Sequence, residues 1–199
     1  MIPQLWQYCD KDVREVVNHA AAMEYLKSKL FGKTYITVDD IVSIHRFLMP
    51  TMNGDNISMK GLDDNHKFRR VPVHVTGSPV IRPYPHEIPA VISKLLAHHQ
   101  HSSYIASLHP VIASVLFVTD FLHIHSFEDG NGRTARLLLV LQLNNRGFFG
   151  CIIHKEQRSD YLSHFDKYFI EREAEPMIHF IAESITAFLD ELQEYTDNK

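Results

Sequence analysis

The stretch from Pro110 to His123, PVIASVLFVTDFLH, narrows the fold more than any other part of the chain. Wound as a helix it is apolar nearly all round, so it is stable only where other elements cover every face. Its leading proline suits the first helical position, where a backbone N–H has no helical partner to lose. A second apolar run, RTARLLLVLQLNNR, follows after a short polar segment, with Gly147 placed to close it in a left-handed conformation. The helices that would cover this pair are also legible. Val13, Val16, Val17, Ala20, Met23, Tyr25, Leu26 and Leu30 keep a helical rhythm from Asp10 to about Leu30, stopped by Gly32. Thr37 sits three residues before Asp40, a carboxylate version of the capping box, with Ile36 and Ile41 at the staple positions. That predicts a helix from Val38 to about Leu48, ended by Pro50. Further helices are predicted from about His86 to His99, near 157–170 and near 176–195. The expected fold class is all-α, a helical bundle.

One segment departs from that rhythm. In FRRVPVHVTGSPVI, residues 68–81, Val71, Val73 and Val75 alternate and Thr76-Gly77-Ser78-Pro79 can reverse the chain, which predicts a small β-hairpin. Pro72 lacks a ladder donor and confines its strand to an edge. Residues 51–67, polar and rich in turn formers, read as a long exposed loop. With 199 residues, 45% hydrophobic, and no repeat or low-complexity linker, the expectation is one domain spanning 1–199. The net charge of -4 denies the chain the broad positive field of a nucleic-acid binder, so a phosphate ligand needs a local cluster of cations and amides. No run approaches the ~20 apolar residues of a membrane span, and MIPQLWQYCDKD has no signal-peptide pattern. Cys9 and Cys151 are too few for a disulfide framework. The expected partners include neither nucleic acid nor membrane, and the expected compartment is the cytoplasm.

Chemistry concentrates in HIHSFEDGNGRTAR, residues 123–136, between the two apolar helices. Gly130 and Gly132 flank Asn131 where a helix begins; left-handed angles there turn successive amides toward one point, an anion nest. Arg133 and Arg136 share one face of that helix's first turn. The macrodipole repels cations at this position, so two arginines make sense if a polyphosphate lies between them and the amides. Asp129 is placed to hold a divalent cation bridging phosphate oxygens. His125 can take a proton from an incoming hydroxyl. Each feature alone is ordinary turn chemistry, but a turn requires neither the histidine nor the arginine pair.

The run His125-Ser126-Phe127-Glu128-Asp129-Gly130-Asn131-Gly132-Arg133-Thr134-Ala135-Arg136 resembles the signature of the Fic family, HxFx(D/E)GNGRxxR, at every specified position. Similar elements elsewhere are the helix VREVVNHAAAMEYL, the hairpin beginning at Phe68-Arg69, and KEQRSDY, which resembles animal Fic proteins that modify a chaperone. The resemblance implies a Fic-fold helical bundle, with core motif 125–136, C-terminal helices 157–195 and the hairpin of about 68–81 as a flap over the active site. It implies a protein adenylyltransferase, moving AMP from Mg-ATP to a Ser, Thr or Tyr hydroxyl of a target protein docked on the flap. His125 would be the base and Asp129 the Mg²⁺ ligand. Gly130, Asn131, Gly132 and Thr134 would form the phosphate cradle, with Arg133 and Arg136 on the β- and γ-phosphates. Phe127 would anchor the loop, Val73, His74, Val75 and Thr76 would border the nucleotide, and Tyr161 would sit near the adenosine. A homodimer is a further expectation by the same resemblance.

The departures matter. Ser126 replaces the more usual Pro, and Leu162 and Phe169 stand where the animal proteins have Tyr and Asn near the base, which leaves another nucleotide open as donor. Gly132 argues against a kinase-type relative. Many Fic enzymes are silenced by a helix of pattern (S/T)xxxE(G/N), yet none of the eleven glutamates here precedes Gly or Asn. An inhibitory helix is therefore expected upstream of this sequence or on a separate partner, and removal of AMP by this chain is expected to be poor. Two other classes stay open: a metal-dependent hydrolase built on His123-Ile124-His125, and a nucleotide-sensing module without catalysis.

Overall fold

A computed structural model of the chain describes residues 11–49, 51–53, 56–58, 67–74 and 78–197. Helix α1, Lys11–Tyr25, continues into a π-type turn, Leu26–Leu30, and stops at Gly32, whose φ of 77° no β-carbon-bearing residue adopts easily. Helix α2, Val38–Leu48, opens with the expected capping box: the Asp40 N–H donates to Thr37 Oγ1 at 3.2 Å, and the Thr37 N–H donates back to Asp40 Oδ2 at 2.7 Å. Lys33 closes on the same carboxylate. Then come α3, Ile88–His101, entered through a single 3₁₀ turn at Pro85–Glu87, and a short α4, Ser103–Ser107, that sequence periodicity does not announce. Helix α5 spans Pro110–Ile124 and α6 Asn131–Asn144, followed by α7, Arg158–Ile170, and α8, Glu175–Asp197.

Helix α5 is enclosed as its composition demands. It packs on α6, α3 and α8, while α2 rests on both α1 and α6. Phe117 and Phe121 are fully buried, each removing a side chain from water for roughly 1.5–3 kcal/mol of stabilisation. From α6, Leu137, Leu138 and Leu141 enter the same cluster. Asn145 ties the ends of distant helices together: its Oδ1 accepts the Gly32 N–H at 2.8 Å, and its Nδ2 donates to the Lys33 carbonyl at 3.1 Å. Not every periodic apolar position is core. Val13, Val16 and Val17 on α1 are exposed. Among the described residues no helix is long and apolar enough to cross a membrane.

The strand pairing is not where alternation places it. Two short antiparallel strands, β1, Thr51–Asn53, and β2, Asn56–Ser58, pair with Thr51 opposite Ser58, inside the segment expected to be only loop. The described residues of 68–81 form no strand, and Val75, Thr76 and Gly77 lie outside the described residues, as do Cys9 and Pro50. The limbs of this segment are joined by a side chain instead of a ladder. Arg69, 3% exposed, donates from Nη1 to the Val71 carbonyl at 2.9 Å and from Nη2 to the Pro83 carbonyl at 2.5 Å. Pro72, Pro79 and Pro83 offer no backbone N–H to a ladder, so a guanidinium that donates to carbonyls on both limbs replaces it.

Candidate active site

The link between α5 and α6 is folded on itself around Phe127. Its ring is buried and stacks on His45 of α2 at 3.7 Å between centroids. The Phe127 N–H donates to Asn131 Oδ1 at 2.9 Å, and Asn131 Nδ2 donates to the Phe127 carbonyl at 2.7 Å, so one buried amide closes the loop on both sides. His45 adds a second brace through Nε2, 3.0 Å from the Asp129 carbonyl; a carbonyl only accepts, so Nε2 carries the hydrogen. Burial holds His45 down to about 4, which keeps it neutral.

Gly130 takes φ 78°, with its N–H donating to Asp129 Oδ1 at 2.6 Å. An added Cβ would lie 2.8 Å from Met49 Cγ, so this glycine is required by both angle and space. Gly132 does not share the expected left-handed conformation. It is helical, and its missing side chain leaves room beside Arg136, whose Nη1 would be 3.8 Å from a Cβ there. The amides of Asn131, Gly132 and Arg133 precede the first α-type hydrogen bond of α6, Thr134 N–H to the Gly130 carbonyl at 2.9 Å, and so remain directed at the loop end of the helix.

His125 caps α5 with φ 51° and ψ 57°, a left-handed conformation uncommon for a side-chain-bearing residue. Its carbonyl accepts Arg69 Nε at 2.7 Å, and the Arg69 N–H donates to the Ser126 carbonyl at 2.9 Å. The arginine that joins the limbs of segment 68–84 thus also fixes the backbone of His125. Burial, then the charges of Arg82 and Arg69, lower the imidazole to about 4, against the opposing pull of Asp129.

A cleft of about 590 Å³ gathers these groups. His125, Asp129, Gly130, Asn131, Gly132, Arg133 and Arg136 all line it, and Tyr161 and Leu162 of α7 form another part of the wall. The Asp129 side chain is 76% exposed. Thr134 does not join them: it is fully buried, turned into the core by the helical period. Val73 and His74 are described but lie away from the cleft lining; Ser78 and Arg82 from the same segment take that place. Phe169 stacks on His123 at 4.3 Å, which seats that histidine against α7. Among the described residues no group of three or more His, Cys, Asp or Glu side chains could hold a metal ion. Two participants have no signal in the local sequence. Glu15 of α1 reaches Arg133 Nη1 at 3.0 Å, and Arg133 also meets Asp129 at 3.3 Å. Arg82 lies over the Phe165 ring, 4.9 Å from its centroid.

Residues 35–143 match the model of the Fic/DOC family. The chain belongs to the Fic/DOC family. Over 176 residues, 88% of its length, it is 37% identical to a protein adenylyltransferase Fic of Drosophila mojavensis and 36% identical to that of Drosophila virilis. It spans about a third of the length of these curated relatives, 33% and 34%. Solved Fic structures share the fold. A fragment of Fic-1 from C. elegans superposes with TM-score 0.73 at 22% identity, covering 93% of this chain and 52% of that one. The N-terminal Fic domain of a putative cell filamentation protein from Bartonella quintana, solved with bound ADP, gives 0.63 at 16% identity, over 87% and 83% of the two chains. The Fic helical bundle is therefore the observed architecture, and the braced loop 125–136 lies within the matched residues.

Proposed function

We propose that this Fic chain is a protein adenylyltransferase that moves AMP from ATP to a hydroxyl of a target protein. The observation that carries the reading is the arrangement within one cleft of a histidine, the exposed amides of a helix start and two arginines. The relatives' name, protein adenylyltransferase Fic, and the ADP of the Bartonella quintana domain support it. The triphosphate follows the amides of Asn131, Gly132 and Arg133, with Arg133 and Arg136 on its terminal phosphates. His125, neutral near pH 7, accepts the hydroxyl proton as the hydroxyl oxygen bonds to the α-phosphorus; the bond from that phosphorus to the bridging oxygen breaks and pyrophosphate leaves. The fixed backbone of His125 holds the imidazole at the point of attack, which contributes through orientation.

Asp129 suits Mg²⁺: a single hard carboxylate, open to the cleft, to be completed by phosphate oxygens and water. The cation would supply charge neutralisation along the phosphates. Tyr161 and Leu162 would flank the nucleoside, and segment 78–84 would receive the target chain alongside His125.

The test compares α-labelled with γ-labelled ATP in the presence of Mg²⁺. Label from the α-position is expected on the chain itself or on a lysate protein. In His125→Ala the transfer is expected to vanish while ATP binding persists, because a base acts on the transition state. Incorporation of γ-label would refute nucleotidyl transfer, and undiminished α-labelling in His125→Ala would remove the histidine from its role.

A further inference from the structure

Two buried arginines stand near His125, and their donors are used differently. Each nitrogen of the Arg69 guanidinium donates to a carbonyl, those of His125, Val71 and Pro83. Arg82 is 8% exposed, yet its Nε and Nη1 have no hydrogen-bond partner among the described residues. Asp166 attracts it electrostatically but gives neither nitrogen an acceptor, and Asp166 Oδ1 instead accepts the Ser78 hydroxyl at 2.6 Å. Burying a guanidinium with unanswered N–H groups is costly, and such a residue is stable in place once an anion joins it. Arg82 lines the active cleft, and so does His125. The Phe165 ring beneath the guanidinium supports its face and leaves its edge, where the N–H groups lie, for a ligand.

We propose that Arg82 is the phosphate contact at the reacting end of the cleft, donating to non-bridging oxygens of the α-phosphate beside His125; this rests on the adenylyl-transfer reading. A charged, forked donor matches an oxyanion far better than a neutral nucleobase. The acceptor hydroxyl must lie within hydrogen-bond reach of His125, and the α-phosphorus next to that hydroxyl, so a phosphate adjoins this arginine whatever the target. Donors already in place where charge develops lower the barrier without reorganising.

The same contact would adjust the base. Arg82 and Arg69, from segment 68–84, push His125 down, and Asp129 from the loop pulls it up. A phosphate on Arg82 offsets the larger of the two cationic effects, so His125 becomes a better proton acceptor when nucleotide is bound.

The test uses the whole chain with Arg82→Gln and Arg82→Lys, AMP and adenosine as binding probes, and self-modification from α-labelled ATP. Arg82→Gln is expected to weaken AMP roughly tenfold or more, the loss of a charge-assisted hydrogen bond, with adenosine unchanged. The labelling rate is expected to fall about 10²–10³-fold, and Arg82→Lys to recover part of both losses. In kcat/KM the acid limb should move to higher pH in Arg82→Gln, because a depressing charge has left His125; a purely structural role would not do this. Equal losses for AMP and adenosine, or none for either, overturn the assignment. Slower labelling with AMP binding unchanged also overturns it and gives Arg82 to the acceptor segment. If the wild-type chain binds AMP yet transfers no label, the adenylyl-transfer reading falls, and the AMP-to-adenosine comparison alone decides the contact.

Discussion

Three glycines of this chain have nearly the same backbone angle and different surroundings, which makes them a controlled experiment on the active loop. Gly32, Gly130 and Gly147 take φ of 77°, 78° and 82°. A Cβ at Gly32 or Gly147 meets nothing within 4 Å among the described residues, so alanine there costs only the left-handed conformation, about 1–2 kcal/mol. At Gly130 the same Cβ stands 2.8 Å from Met49 Cγ, 3.2 Å from its Sδ and 3.3 Å from His45 Nε2. Overpacking of this kind adds roughly 1–3 kcal/mol. Gly130→Ala is therefore expected to lose about 2–5 kcal/mol by urea denaturation, the sum of the two effects. Met49→Ala in the same chain should return the steric part relative to Met49→Ala alone, leaving a deficit like that of Gly32→Ala. Nucleotide binding supplies an independent reading: Gly130→Ala should weaken ATP, because relief of the clash displaces the amides that follow, while Gly32→Ala should not. If the three alanine variants lost equal stability, the contact with Met49 would carry no energy and the reasoning would fail.

Two further outcomes follow from charge. Arg136→Ala should weaken ATP by roughly 1.5–3 kcal/mol in calorimetric titration, the scale of a lost charge-assisted contact, with less effect on AMP; equal losses would show that this arginine does not read the terminal phosphates. Burial holds His45 and His125 at about 4, so between pH ~6.5 and 4 the unfolded chain binds protons that the folded chain refuses, and stability falls on acidification by up to ~1.4 kcal/mol per pH unit for each histidine. Above that window the contribution is complete. Urea denaturation from pH 7 to 4.5 should show a shallower decline for His45→Gln than for wild type, and parallel curves would refute the role given to His45.

What the sequence discloses here is what chain neighbours determine. The capping box of Thr37 and Asp40 spans three residues and is read from spacing. The closure of the loop by Asn131 on the Phe127 backbone, though only four residues long, is hidden because the same glycine-flanked asparagine reads equally well as a phosphate cradle. The burial of α5 follows from composition alone. Partners far along the chain are different. Glu15 reaches Arg133, and Arg69 reaches His125, through packing that no local pattern encodes. The alternation of Val71, Val73 and Val75 reads as a ladder, yet strand pairing depends on partners that alternation does not name. Thr134 differs from its expected place for a related reason: membership in a motif does not say which side of a helix a residue occupies, and the helical period turns it inward.

The tie made by Arg69 bears on how this chain could be rebuilt. A hairpin ladder propagates register, so inserting one residue flips every later side chain to the opposite face. Here a single guanidinium grips Val71 and Pro83, and the described residues between them form no strand. A residue inserted between His74 and Ser78 is therefore expected to flip no ladder, at a closure cost of only about 0.6 kcal/mol per doubling of loop length, with Arg69 still bound to the His125 carbonyl. Loops of different length belong ahead of Ser78, because Ser78 and Arg82 line the cleft and have to keep their places.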